Sequence, residues 1–162
     1  MAGSSIPDVG SKAPAFTLEN QDGKKVSLKD FEGQWVVLYF YPKDNTPGCT
    51  TEACEFTEAM PNFKKLKSVV LGVSPDSVKS HQNFIAKQNL GITLLSDPDH
   101  RILEKYGVWQ LKKNYGKEYL GVVRTTFLIN PNGRIEHIWE KVKARGHAEA
   151  VGEFLAEATK KK

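Results

Sequence analysis

The sequence predicts an α/β fold, a central mixed β-sheet flanked by helices and preceded by an N-terminal β-hairpin. Three observations lead there. The runs QWVVLYFY at 34–41 and SVVLGVS at 68–74 are almost unbroken in apolar, β-branched and aromatic residues, as strands buried on both faces are. Segments of helical character, TTEACEFTEA and VKSHQNFIAKQ, follow each run, so the connections are crossovers and the strands pair in parallel. Near the C-terminus two apolar segments flank Asn130-Pro131-Asn132-Gly133, the composition of a tight turn, which adds antiparallel strands.

In chain order, FTLENQDGKKVSL reads as a hairpin turning at Asp22-Gly23. The run at 34–41 ends before Pro42. Beyond the loop that follows, TTEACEFTEA supplies good helix formers with two acids in its first turns, and Pro61 is expected to break or restart that helix. After 68–74, Ser74-Pro75-Asp76 is a capping signal with proline where a first turn tolerates it, opening the helix through VKSHQNFIAKQ. ITLLS is a short strand and DHRILEKYG a short helix. YLGVVRTTFLI and RIEHIWE form the late hairpin, and HAEAVGEFLAEAT closes the chain as an amphipathic helix. Without repeats, low-complexity linkers or a Pro/Gly/Ser-rich break, residues 1–162 are expected to form one thioredoxin-like domain. In such sheets, sites gather beyond the carboxyl ends of central strands where helices begin, and the loop 42–49 lies there.

Apolar residues make up 40% of the chain and charged residues 26%, which suits a globular protein. No stretch approaches the ~20 apolar residues that cross a bilayer. The opening MAGSSIPDVGSKAPAF lacks a basic segment followed by an apolar run, so a secretory signal is not expected and a cytoplasmic location is. The net charge of +4 is small and rests partly on the lysines at 160–162. KKLK at 64–67 and LKKNYGKEY at 111–119 alternate with apolar residues as solvated faces and loops do, so neither nucleic-acid nor membrane partners are expected. His81, His100, His137 and His147 share no ligand spacing with one another or with the cysteines, and no metal site is expected.

Chemistry is concentrated in PKDNTPGCTTEAC, residues 42–54, which holds both cysteines of the chain. Two are too few for a disulfide scaffold and lack the paired spacing of a zinc site, leaving two buried bystanders or a redox pair. Cys49 stands at the predicted start of a helix, where unpaired backbone N–H groups and the dipole favour a thiolate. Pro47 fixes the turn, Gly48 lets the backbone approach whatever binds, and Thr46 puts a hydroxyl within reach of the same pocket. Cysteine is also a common buried residue and Thr-Pro-Gly a common turn, so Cys49 alone leaves a structural role open. Cys54 adds a constraint. In an intact α-helix, residues five apart have Cα atoms roughly 8–9 Å apart, beyond the ~7 Å that a disulfide spans. If the two cysteines bond, the helix must open locally; if they do not, Cys54 has no evident chemical part.

Arg124 lies within GVVRTTFLI, otherwise fit for a buried strand, so its guanidinium needs an anionic partner. That partner is either a structural carboxylate or the Cys49 thiolate with the oxygens of a bound substrate, which the planar fork suits. Glu52, one helical turn past Cys49, either orients Arg124 or complements the helix dipole.

Pro42, Thr46 and Cys49 match the pattern P-x-x-x-T-x-x-C, and on these residues the sequence resembles the peroxiredoxins. TPGCTTEAC, with its second cysteine five residues on, is similar to the Q, or bacterioferritin-comigratory-protein, branch. The likeness continues through VVLGVSPDSV, LLSDPDH, YGVW and VRTTFLINPNGRI. It implies a thioredoxin-like fold and a thiol peroxidase of antioxidant defence, acting on hydrogen peroxide and organic hydroperoxides. Cys49 would be the peroxidatic cysteine and Cys54 the resolving one, joined in an intramolecular disulfide. Thr46 and Arg124 would activate Cys49 and polarise the O–O bond, and Pro42 would shield the pocket. The resemblance further implies no cofactor, recycling by thioredoxin or a similar dithiol reductant, and a monomer. Thr57 departs from the many relatives that carry arginine there, so their local salt bridge is not expected. A thioredoxin-type disulfide oxidoreductase would instead carry Cys-x-x-Cys, and a binding module or holdase would use a surface and leave peroxide consumption independent of Cys49.

Overall fold

Strand β3 (Trp35–Phe40) is buried along its whole length, and the sheet is built outward from it. The computed structural model describes residues 6–160; residues 1–5 and 161–162, the beginning of the N-terminal segment and the end of the lysine run, lie outside the described residues. The elements in order are β1 (Thr17–Asn20), β2 (Lys25–Ser27), a 3-10 turn (Leu28–Phe31), β3, α1 (Pro47–Lys65), β4 (Ser68–Ser74), α2 (Val78–Gln88), β5 (Thr93–Ser96), α3 (Arg101–Lys105), β6 (Trp109–Asn114), β7 (Lys117–Val122), β8 (Thr125–Ile129), β9 (Ile135–Trp139) and α4 (His147–Lys160). Seven strands form one mixed sheet in the order β2-β1-β5-β4-β3-β8-β9, while β6 and β7 pair as a separate ribbon. β3, β4 and β5 run parallel; β1 joins β5, β8 joins β3 and β9 joins β8 antiparallel.

Alternation along β3 divides the core. Trp35, Val37, Tyr39 and Tyr41 face Phe56 and Phe63 of α1, Phe84 of α2 and Val151 and Leu155 of α4. Val36, Leu38 and Phe40 point the other way, onto Leu103 of α3, Tyr106 and Phe127. Each such side chain contributes ~1.5–3 kcal/mol of burial, enough for the sheet to fix the ends of α1 in space. The two predicted turns hold: Gly23 takes φ +76° between β1 and β2, and Gly133 takes φ +81° between β8 and β9. In both, an asparagine side chain (Asn20, Asn130) accepts backbone N–H groups across the turn.

Four expectations are corrected. Pro61 neither breaks nor restarts α1, which is continuous from Pro47 to Lys65. Pro61 is exposed, and buried Phe56 and Phe63 hold the helix on both sides of it. The cap of α2 is Ser77, whose Oγ accepts from Ser80 N at 3.1 Å, and Pro75 precedes the helix rather than entering it. The segment 111–119 is not loop but most of the β6–β7 ribbon, reversing at Tyr115 (φ 51°) and Gly116 (φ 78°). YLGVVRTTFLI is therefore two strands, parted at Val123 and Arg124.

Tyr39 lies across Gly72, its partner on β4, and stacks on Phe56 with centroids 4.8 Å apart. A Cβ on Gly72 would stand 2.8 Å from Tyr39 Cζ and 2.9 Å from Leu94 Cδ2. Gly72→Ala should thus lower the unfolding free energy by about 1–3 kcal/mol. Urea denaturation measures this; an unchanged midpoint would mean that the Tyr39 ring moves aside freely.

Candidate active site

The antiparallel pairing of β8 with β3 brings distant residues together. Thr125 lies opposite Phe40, so Arg124, immediately before β8, stands beside the end of β3 where the 42–49 loop departs. Its backbone is pinned there, the carbonyl accepting from Val142 N at 3.0 Å. Thr46 is the N-cap of α1 in extended conformation (φ −89°, ψ 155°), and its carbonyl accepts the first helical bond from Thr50 N at 2.8 Å. The Thr46 hydroxyl does not cap the helix but donates to Lys43 O at 2.8 Å. The helix start thus lacks a side-chain cap, and its N–H groups and dipole make an electropositive end at Cys49, which is 1% exposed.

Arg124 Nη2 donates to Cys49 Sγ at 3.3 Å, a bond that a thiolate accepts far better than a thiol, while Nη1 donates to Glu52 Oε1 at 2.6 Å. Gly48 makes room: a Cβ there would stand 3.1 Å from Nη2. Both alternatives for the partner of Arg124 are realised at once, a carboxylate and the thiol. Glu52 orients Arg124 rather than lying exposed against the dipole. It is wholly buried, and among the described residues its Oε2 has no hydrogen-bond partner. Burial pushes the Glu52 carboxyl up to about 7 against the pull of Arg124, whereas Glu52 and Cys49 outweigh burial to keep the guanidinium firmly charged. The arrangement sets a buried sulfur beside a fixed cation and the open N–H donors of a helix start.

The AhpC/TSA family model matches residues 9–138. Peroxiredoxin Bcp of Bacillus subtilis is 47% identical over 154 residues, covering 95% of this chain and 98% of the relative. A putative peroxiredoxin bcp of Coxiella burnetii is 54% identical over 146 residues, 90% and 97% of the two chains. Among solved structures, a Cys-to-Ser mutant of Xylella fastidiosa PrxQ superposes with a TM-score of 0.90 at 41% identity, covering 96% of this chain and 99% of that one. The chain belongs to the AhpC/TSA family. Within it, this is a peroxiredoxin of the Bcp, or Q, type, and a thiol-dependent peroxidase. The bacterioferritin comigratory protein of Xanthomonas campestris, described for its alkyl peroxide reduction activity from trapped intermediate and ligand complexes, superposes with a TM-score of 0.85 at 44% identity over 89% of this chain and 92% of that chain.

The other residues that the sequence singled out are distributed around α1 and the end of β3. Pro42 is half-buried where β3 ends. Cys54 is half-buried on α1, and both cysteines are free. The helix is regular between them, so the separation inferred from spacing stands, and burial together with Glu58 pushes the Cys54 thiol up. Thr57 donates to Ala53 O at 2.8 Å and accepts from Gly91 N at 3.1 Å, tying α1 to the turn before β5.

The sequence did not disclose a buried network that holds the loop. Asp44 Oδ1 accepts from Tyr41 OH at 2.6 Å, and Asp44 Oδ2 accepts from Ser80 Oγ at 2.7 Å and lies 2.7 Å from His81 Nδ1. Asp44 N donates to Asp76 Oδ2 at 2.8 Å, which also accepts from Ser74 Oγ at 2.8 Å. Burial opposes the Asp44 charge, but the bonds from His81, Tyr41 and Ser80 outweigh it and hold the carboxyl below its ordinary value. Asp44, Asp76 and His81 offer atoms within 4.8 Å of one another, although no spacing among the histidines indicated a cluster. The available signal was His81 three residues before Phe84, the spacing of one buried helix face. His147 accompanies the site, its Nε2 2.8 Å from Thr126 Oγ1, and burial with Arg124 pulls its pKa down to about 4, so it is neutral near pH 7.

A carboxyl raised on folding favours the folded state while protonated, so the Glu52 contribution is fully present below the unfolded value of 4.5 and is lost as pH rises through about 7. Across that window its stability should fall by at most ~1.4 kcal/mol per pH unit. Urea titrations from pH 4.5 to 7.5 should show this slope in the wild type and a flatter profile in Glu52→Gln; identical profiles would place the Glu52 charge fully in solvent balance.

Proposed function

We propose that Cys49 is the peroxidatic cysteine of this thiol peroxidase and Cys54 its resolving cysteine, with Arg124, Thr46 and Pro42 completing the catalytic set. The observation that carries this is the Arg124 fork shared by Cys49 Sγ and Glu52 Oε1 at the uncapped start of α1. The Cys49 thiolate attacks the nearer oxygen of a hydroperoxide in line. The S–O bond forms as the O–O bond breaks, and the electron pair leaves with the outer oxygen, which takes a proton to give water or an alcohol. Arg124 and the helix-start N–H groups stabilise that charge, and Thr46, its hydrogen engaged by Lys43 O, presents its lone pairs to the peroxide O–H. Cys49 is then a sulfenic acid. Cys54 sulfur attacks it, expels water and forms the disulfide, which protects Cys49 from oxidation to the sulfinic acid.

A dithiol reductant of the thioredoxin type restores both thiols by two exchange steps. Hydrogen peroxide and organic hydroperoxides are the proposed substrates, the latter supported by the activity named for the X. campestris relative. An intramolecular disulfide requires no partner subunit, which supports a monomer. A cytoplasmic setting suits a dithiol-recycled enzyme, and no helix among the described residues is long and apolar enough to cross a membrane.

Peroxide turnover coupled to thioredoxin and its reductase tests the assignment. Cys49→Ser should abolish consumption, and wild-type turnover in that variant would remove Cys49 from the mechanism. Cys54→Ser should react once and accumulate a sulfenic adduct at Cys49, detectable by mass spectrometry. Arg124→Ala should slow the second-order reaction with peroxide about a hundredfold, corresponding to ~3 kcal/mol in the transition state. Arg124→Lys should restore it only in part, lacking the fork. Because regular α1 holds the cysteines apart, oxidation must unwind its first turns. Hydrogen exchange should show amides at 49–59 losing protection in the disulfide form while 35–40 and 125–129 retain theirs. Equal protection in a confirmed disulfide form would contradict the opening.

A further inference from the structure

The β6–β7 ribbon stands apart from the main sheet, and its two faces differ. On one, Leu111 and Leu120 are exposed and Lys113 pairs with Glu118 in solvent at 3.7 Å. On the other, Lys112 stands opposite Tyr119 and is only partly exposed. Its course is set by Gly121. A Cβ on that glycine would stand 3.1 Å from Lys112 Cδ, so the lysine stem runs flat over bare backbone of β7. Nζ ends 3.0 Å from the carbonyl oxygen of Val122, a residue 1% exposed and two positions before Arg124, with the Tyr119 ring centroid 6.0 Å away.

A lysine ordinarily carries its head to water. This one is led along the ribbon to a backbone carbonyl two residues short of Arg124. Burial and the like charge of Arg124 both work against the ammonium there, and Cys49 favours it. One neutral carbonyl is poor compensation for a cation held in this position, since an ammonium has three donors. The Arg124 fork, meanwhile, is already divided between Cys49 and Glu52. In peroxide cleavage the negative charge starts on the buried sulfur and ends on the outer oxygen, and Lys112 Nζ, held at the carbonyl of Val122 two residues before Arg124, is a further cation on this stretch of chain. We propose that Lys112 is a second cation of the active site, stabilising the charge that develops on the departing oxygen. This rests on Cys49 being the peroxidatic thiol. Thiolate sulfur bonds to the nearer oxygen, the O–O pair passes to the outer one, and the resulting hydroxide or alkoxide faces the ammonium until water protonates it. Lys112 keeps its own proton throughout.

The test compares reduced wild type with Lys112→Met, similar in length but uncharged, in single-turnover stopped flow. Hydrogen peroxide, tert-butyl hydroperoxide and peracetic acid vary the basicity of the leaving oxygen, and iodoacetamide, with alkylation of Cys49 distinguished from that of free Cys54 by peptide mass spectrometry, reports attack by the Cys49 thiolate where no O–O bond breaks. Lys112→Met should react about tenfold more slowly with the first two oxidants and within about twofold of wild type with peracetic acid, whose leaving acetate needs little help. Its alkylation rate should equal that of wild type, and Lys112→Arg should retain most of the peroxide rate. Lys113→Met, on the opposite face, should match wild type throughout, while Gly121→Ala, which crowds the stem, should reproduce part of the loss with the charge intact. Unchanged peroxide rates in Lys112→Met overturn the proposal. An equal loss with all three oxidants and with iodoacetamide also overturns it, placing the lysine's effect on the thiolate. A wild type that reacts with no peroxide strikes the assignment of Cys49 instead, so the two failures are distinguishable.

Discussion

The guanidinium of Arg124 fastens strand β8 to the first turns of α1, and the surroundings of the thiol follow from that one fork. It can reach Cys49 because β8 pairs antiparallel with β3, because Gly48 has no side chain, and because Glu52 takes the second edge of the fork. Desolvating such a pair is costly, and it is the loss of one partner rather than of both that the fold would feel most. Two buried oxygens, Glu52 Oε2 and Tyr39 OH, have no hydrogen-bond partner among the described residues. Burial raises both groups well above their ordinary pKa, keeping the tyrosine neutral and letting Glu52 titrate near neutrality. Polar satisfaction is sacrificed beside the Cys49 sulfur, where a dry environment strengthens every charge–charge interaction.

Upstream of the thiol the chemistry is reversed. Asp44 is bonded through both carboxylate oxygens and its backbone N–H, to Tyr41, Ser80, His81 and Asp76, so the loop between β3 and α1 is clamped onto α2 and the end of β4. His81 Nε2 also lies 3.0 Å from Leu95 O, extending the clamp to β5. Cys49 thus stands at a boundary between a saturated polar network and a helix whose first turn has no side-chain cap. The network ends before Thr46–Pro47, so opening α1 from its start would not by itself break the bonds that hold the loop.

What could be read from sequence depended on whether a signal was local. The continuous apolar runs of β3 and β4 disclosed buried parallel strands because burial on both faces leaves no alternation. The cysteine spacing disclosed a geometric conflict that the regular helix preserves. Arg124 drew attention because a lone charge in an apolar segment demands a partner, although the partner proved to be two groups rather than one. The ribbon escaped notice because LKKNYGKEY has an exposed, charged surface on both strands and pairs only with itself, and Tyr115 is an unusual residue for a positive φ. The Asp44–His81 clamp joins residues 37 apart through a parallel-strand crossover, so tertiary placement alone assembles it. Pro61 misled for a related reason, as packing of Phe56 and Phe63 overrides local helix propensity.

The continuity of α1 ties the lifetime of an oxidised intermediate to folding stability. With Cys49 and Cys54 in the roles proposed for them, a sulfenic acid on Cys49 persists until the helix yields, and while it persists a second peroxide molecule can drive the sulfur to an irreversible state. The same turns that position the thiol also delay its rescue. Substitutions or solutes that stiffen the protein in general would therefore shorten its working life under a heavy oxidant load, and mild loosening of the helix start would extend it. Thermal robustness and resistance to self-inactivation are opposing demands on one stretch of chain, which sets a ceiling on how stable a peroxidase of this design can usefully become.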